Sequence, residues 1–179
     1  GRSLSAEEQQ TSFPLWLEKP VSVGPRSYLN VITIEKNGKG VIDIDTVKGC
    51  TLGMNARPGV GCYGECYAFK DASRYGIDFR IAVARKLTPS IRGDIFQTVK
   101  NFPANWYRIG VSGDPCHYWT NTAEVCEFLE PTGKVPVIIT KHWIPLSDAH
   151  IARLAAQSAV VNTSVSGFDT NAQIKHRVA

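Results

Sequence analysis

The sequence predicts an α/β fold, a partial parallel β/α barrel preceded by a β-hairpin. Three observations carry that expectation. From residue 41 onward, strand-like runs alternate with helix-compatible segments, the rhythm of βα units joined by right-handed crossovers. One run, Val135-Pro136-Val137-Ile138-Ile139-Thr140, is continuously apolar, as a buried parallel strand is. Each run also ends in a polar motif. The motifs therefore gather at the C-terminal ends of the strands, the face that carries the chemistry in β/α barrels.

The elements follow in order. Residues 1–27 read as an N-terminal arm, polar and proline-punctuated, with Phe13-Pro14-Leu15-Trp16-Leu17 as an apolar patch. Residues 28–179 read as the βα domain. Tyr28 to Ile34 is strand-like by its β-branched content, Asn37-Gly38 is a hairpin signal, and Val41 to Thr46 is the alternating return strand. A cysteine-bearing loop comes next. Residues 67–100 read as helical pieces divided by Gly76, Pro89 and Gly93. Arg74, Arg80, Arg85, Lys86 and Arg92 make that stretch basic, which suits a solvated helix face better than a phosphate surface. Trp106 to Val111 is a strand, followed by a helix over 122–129 that Thr120 or Asn121 caps and Gly133 stops. Val135 to Thr140 is the third core strand. Ser147 caps a helix over 148–157, with Ile151, Leu154 and Ala155 on one face. Ala159 to Ser166 is the fourth strand, and Asp169 or Thr170 caps a last helix.

The chain has 179 residues, enough for one domain with a core. Its 43% hydrophobic and 20% charged residues are ordinary for a globular protein. A net charge of +4 and a pI near 8.8 permit a nucleic-acid substrate without indicating one. No apolar run reaches the roughly 20 residues of a membrane span, and the polar start, Gly1 to Gln10, shows no signal peptide. Five cysteines, three of them clustered, point to a reducing, cytoplasmic setting rather than a disulfide scaffold.

The cluster lies in Gly49 to Ala68, which holds Cys50, Cys62 and Cys66, the only methionine and five glycines. Three thiolates on one loop suit zinc or an iron–sulfur cluster. The spacing, C-x11-C-x3-C, leaves both open. Three ligands leave a fourth position, which favours a cluster with one exchangeable iron. Cys116, His117 or Cys126 could instead close a structural zinc site. A zinc-stabilised binding module using Cys50, Cys62, Cys66 and Cys116 or His117, with nucleic acid as a candidate partner, is the rival reading. Three unliganded buried cysteines are the bland one.

Cys62-Tyr63-Gly64-Glu65-Cys66-Tyr67-Ala68, with Gly49-Cys50 upstream, resembles the cluster loop of divergent radical S-adenosylmethionine (SAM) proteins, near phage-associated "CYA" and spore-photoproduct-lyase-like branches. The usual superfamily spacing is C-x3-C-x2-C. The resemblance implies a [4Fe–4S] cluster on Cys50, Cys62 and Cys66, with SAM as the second cofactor. It implies an electron donor, reductive cleavage of SAM to a 5′-deoxyadenosyl radical, and an unidentified substrate, nucleic acid included. It also implies an incomplete half barrel: the core strands number four with the hairpin's return strand, fewer than the superfamily's barrel has, so another chain or a C-terminal half would complete it.

The same resemblance assigns roles at the other strand ends. Ser112-Gly113-Asp114 is similar to the motif that holds the SAM amino group, with Asp where Glu is usual. A carboxylate at a strand tip can accept from an ammonium, and a glycine admits a ligand to the backbone. Lys141 would meet the SAM carboxylate or a substrate anion. His142 would serve as a general acid or a fourth ligand. Ser164 and Ser166, on one strand face, would reach the ribose or the methionyl carboxylate. The aromatic that packs on adenine beside the last cysteine is replaced by Glu65, which moves that role to Tyr63 or Tyr67. Each has an ordinary alternative: an Asp-Pro turn, a satisfied loop histidine, hydroxyls filling a crowded interior.

Overall fold

The computed structural model describes residues 30–54, 66–165 and 169–178. In chain order the elements are β1 (Thr33–Lys36), β2 (Ile42–Asp45), β3 (Val47–Lys48), α1 (Thr51–Met54), α2 (Tyr67–Arg74), β4 (Val83–Ala84), α3 (Arg92–Asn101), β5 (Trp106–Ile109), α4 (Trp119–Leu129), β6 (Val135–Thr140), α5 (Asp148–Ala156), β7 (Val160–Thr163) and α6 (Asn171–Val178). Short 3-10 turns at Pro115–Tyr118 and Glu130–Thr132 flank α4. Five strands make one sheet in the order β1-β2-β5-β6-β7. Only β1 runs antiparallel to its neighbour. The mixed α/β architecture with a mostly parallel sheet is therefore the one the strand–helix alternation predicts. The expected N-terminal arm lies outside the described residues.

The hairpin is present, but Asn37-Gly38 does not close it as a tight two-residue turn. Lys36 pairs with Ile42, so residues 37–41 form the connection. The Asn37 side-chain oxygen accepts from Lys39 N–H (2.9 Å) and Val41 N–H (3.2 Å), standing in for backbone acceptors. The left-handed residue is Gly40, at φ +74°.

Residues 67–100 depart most from expectation. The outer parts are helical, as α2 and α3, but the middle carries β4, which pairs antiparallel with β3 in a separate two-stranded ribbon. Two-residue strands leave no periodicity for a sequence pattern to register.

The helix after β5 begins earlier than residue 122. Asp114 accepts from Cys116 N–H (3.1 Å) and Pro115 takes the first turn position, so the 3-10 turn at Pro115–Tyr118 leads straight into α4. Asn121 is consequently interior, not a cap. It is 3% exposed, and its amide donates to the carbonyls of Thr46 (2.9 Å) and Arg85 (2.8 Å). Gly133, at φ +71°, closes this region as expected. Ser147 caps α5, accepting from His150 N–H at 3.2 Å. The buried stripe of α5 is not the expected one, because Ile151 is exposed. His150 meets Thr120, Arg153 grips Glu127 of α4 through two bonds of 2.6 and 2.7 Å, and Leu154 enters the core. Those three lie at i, i+3 and i+4 on one helix face, which leaves Ile151 off it. Thr170 and Gln173 cap α6 reciprocally, side chain to backbone, at 3.2 and 2.8 Å.

The sheet has two unlike faces. Ile44, Ile109, Ile138 and Val161 form one register row, and the first three are wholly buried. They pack in one core with Val99 of α3, Trp119, Ala123 and Leu129 of α4, and Leu154 of α5. The alternate row, Asp43, Arg108, Val137 and Val160, faces the other way. There Arg108 binds Asp43 with two parallel bonds of 2.8 and 2.9 Å, and Val160 is exposed. Among the described residues no helix is long and apolar enough to cross a membrane.

Candidate functional site

A cavity of about 140 Å³ opens at the C-terminal ends of the parallel strands. Its walls include Cys50, Cys66, Asp114, Thr140, Lys141 and Ser164. These come from the segments around the ends of β2, β5, β6 and β7, so residues from four strand ends share one cavity, while Ser112 and His142 do not line it.

The first wall is the cysteine segment. Gly49 is left-handed at φ +87°, and a Cβ there would fall 2.3 Å from the Ile81 carbonyl oxygen. Glycine is therefore required immediately before Cys50. Cys50 N–H donates to the Phe79 carbonyl at 2.8 Å. The Cys50 sulfur lies against Gly53, where an added Cβ would approach it to 2.8 Å. Cys66 occupies the cap position of α2, and its carbonyl accepts from Lys70 N–H at 3.2 Å. Tyr67 also borders the cavity. Its ring is largely exposed and its hydroxyl donates to the Val111 carbonyl at 2.7 Å. Cys62 and Tyr63 lie outside the described residues, as does Ser166.

The second wall is the segment after β5. Asp45, which sequence reasoning missed, organises it. Its carboxylate accepts from Val111 N–H (3.3 Å), Ser112 N–H (3.0 Å) and the Ser112 hydroxyl. The signal was present in Val41-Ile42-Asp43-Ile44-Asp45, since alternation sends both aspartates to the face opposite the isoleucines. Ser112 is thus engaged with Asp45 and is not a wall residue. Gly113 is a wall residue, but its missing side chain is explained by protein. A Cβ would lie 2.3 Å from the Val47 carbonyl oxygen and 2.9 Å from Gly49 N. Asp114 is 6% exposed. Its carboxylate accepts from Cys116 N–H (3.1 Å), the Thr140 hydroxyl and Lys141 N–H (2.8 Å). It therefore joins the end of β5 to the end of β6, with three donors already on its oxygens.

The third wall is the end of β6 with the end of β7. Lys141 is a cation on this cavity, and its ammonium stands 3.5 Å from the wholly buried Asp169 side chain. His142 is not a wall residue. It is left-handed at φ +54°, its ring packs edge-on against Trp119, and its Nε2 accepts from Leu146 N–H at 3.2 Å. Ser164 N–H donates to the Thr140 carbonyl at 2.7 Å, continuing the β6–β7 pairing to the rim.

Next to this wall, Asp114, Cys116 and His117 are all buried, with ligand atoms within 4.8 Å of one another. The spacing looks metal-like, but the hydrogen bonds decide otherwise for His117. Its Nδ1 is 3.1 Å from the Asp114 carbonyl oxygen, which can only accept, so Nδ1 carries the proton. Its Nε2 accepts from Leu52 N–H at 3.2 Å. Both ring nitrogens are engaged, and burial holds the imidazole below its ordinary pKa, in the neutral form this pairing needs. Burial pushes the Cys116 thiol well up, which keeps it protonated. Cys126, the other conceivable fourth ligand, is buried in α4, where burial pushes its thiol up to about 12. No family model, curated protein or solved structure matches the chain.

Proposed function

We propose that the chain is an iron–sulfur enzyme of the radical SAM type. Cys50, Cys62 and Cys66 would hold a [4Fe–4S] cluster, and SAM would occupy the adjoining cavity. The observation that supports this is the pairing of Cys50 and Cys66 on one cavity, at the end of a mostly parallel sheet, beside Lys141. Thiolates are the donor type such a cluster takes, and His117 is unsuited to complete a closed zinc site because neither ring nitrogen is available. When bound, the cluster and SAM would supply one-electron cleavage of a carbon–sulfur bond, with the electron from an external donor.

The protein's own part is to bind, orient and exclude water. Lys141 offers positive charge to a carboxylate. Asp114 holds Lys141 in place through its backbone N–H and keeps Thr140 at the wall. Tyr67, tethered to Val111, flanks the opening beside Cys66. Ser164 supplies a hydroxyl from β7, and Ser166 and Tyr63 join this set by sequence position. The sheet reads as part of a β/α barrel, since β7 has a neighbour on one side only among the described residues and an open strand edge calls for a cover. The substrate class stays open, with nucleic acid among its members.

Anaerobic reconstitution with iron and sulfide tests the reading. The expected product is brown, with about four irons and four sulfides per chain, and yields 5′-deoxyadenosine from SAM on chemical reduction. Cys50→Ala and Cys66→Ala should each lose most of the iron. A colourless protein that instead binds about one zinc per chain through these cysteines would replace this reading with the zinc-module one.

A further inference from the structure

We infer that His117 is a positioning residue for Cys50, acting through the backbone of Leu52. The inference rests on the reading of Cys50 as a ligand only for its functional meaning; the geometry stands without it. His117 is fully buried in the 3-10 turn after β5. Its Nε2 accepts the Leu52 N–H, and that amide lies at the start of α1, the four-residue turn that follows Cys50. The first amides of a helix have no partner within it. Here one of them takes an imidazole from a segment 65 residues away.

The link runs on to the sulfur. Gly53 sits in the same turn, and the Cys50 sulfur rests against its Cα side, with the Trp143 indole nitrogen 3.3 Å from where a Cβ would be. The turn is therefore the surface that sets where the sulfur points. At its other end the His117 ring is locked by Nδ1–H to the Asp114 carbonyl. Asp114 in turn carries the β6 end, including Lys141 N–H. One imidazole thus fixes the cysteine wall of the cavity relative to the Asp114–Lys141 wall. It does so only as the Nδ1–H tautomer, because the opposite tautomer would place N–H against N–H at Leu52 and lone pair against carbonyl at Asp114.

The test is the alkylation rate of Cys50 against Cys66 in the metal-free protein, read by peptide mass spectrometry after limited iodoacetamide treatment. His117→Phe keeps a ring but removes the acceptor, and should speed Cys50 relative to Cys66 by about tenfold. His117→Gln keeps an acceptor near the Nε2 position and should restore most of the protection. Cys126→Ala, a buried change on α4 away from this bond, controls for general loosening and should leave the ratio unchanged. Nitrogen-15 spectra of labelled protein should show Nδ1 protonated and Nε2 bare. Equal Cys50 rates in wild type, His117→Phe and His117→Gln, or the Nε2–H tautomer, would overturn the inference. So would a Cys126→Ala ratio that matches His117→Phe. Since no metal enters this experiment, it succeeds or fails independently of whether iron binds.

Discussion

Asp114 accepts from two backbone amides and a hydroxyl while 6% exposed, so its two oxygens are nearly filled by protein. Asp114→Asn keeps one oxygen and turns the other into a donor, which must then face an N–H or the Thr140 hydroxyl. Leaving a buried donor unmatched costs about 1–3 kcal/mol. Urea unfolding should therefore show Asp114→Asn destabilised by about 2 kcal/mol, while the exposed Asp94→Asn on α3 shows little change. His117 gives a pH signature at the same scale. Its folded-state pKa is lowered by burial from the ordinary 6.5, so as pH falls the unfolded chain takes up the proton first. Stability is then full above about pH 6.5 and declines below it, by at most about 1.4 kcal/mol per pH unit from this group. His150, also lowered by burial, adds to the decline in the same window. Thermal melts between pH 7.5 and 5 should show the slope, and His117→Gln should flatten part of it. An unchanged slope in that variant would remove His117 from the account.

At the scale of elements, α4 is the piece that ties the ribbon to the sheet. Asn121 sends both amide hydrogens outward from the helix, to Thr46 beside β3 and to Arg85 beside β4. Thr122 adds a hydroxyl pairing with Thr46 at 2.8 Å. Asn121→Ala leaves two buried carbonyls without that donor and should cost about 2 kcal/mol, read as a lower melting temperature with α4 still helical by circular dichroism. The sequence could not disclose this. An asparagine near a helix start reads as a cap, and the earlier start was written in Asp114-Pro115, two residues that read equally well as a loop turn. The third strand, the Ser147 cap and Gly133 were legible because each depends on local chemistry. The ribbon of β3 and β4 was not, because its partners, Val47 with Ala84 and Lys48 with Val83, lie far apart in the chain and each strand is two residues long. Ile151 misled for a related reason: periodicity shows that α5 has an apolar side, whereas the long-range contacts of His150, Arg153 and Leu154 show which way it turns.

For the molecule as a whole, the sheet order β2-β5-β6-β7 follows chain order, each new parallel strand lying beside the last, which is why the architecture could be read from the rhythm alone. The gathering of cysteine, aspartate, lysine and serine at one sheet end follows from that same rule. What could not be read is how tightly the loops at that end are joined. Gly49 N–H donates to the Ser112 carbonyl and Asp114 N–H donates to the Gly49 carbonyl, both at 3.2 Å, and Gly113 has no side chain to keep the two segments apart. The strip bearing Cys50 and the strip bearing Asp114 are stitched main chain to main chain, like one more pair of strands laid across the top. They cannot part without breaking that seam. Any molecule entering the cavity would therefore meet, on those two sides, a mould already cut by the main chain.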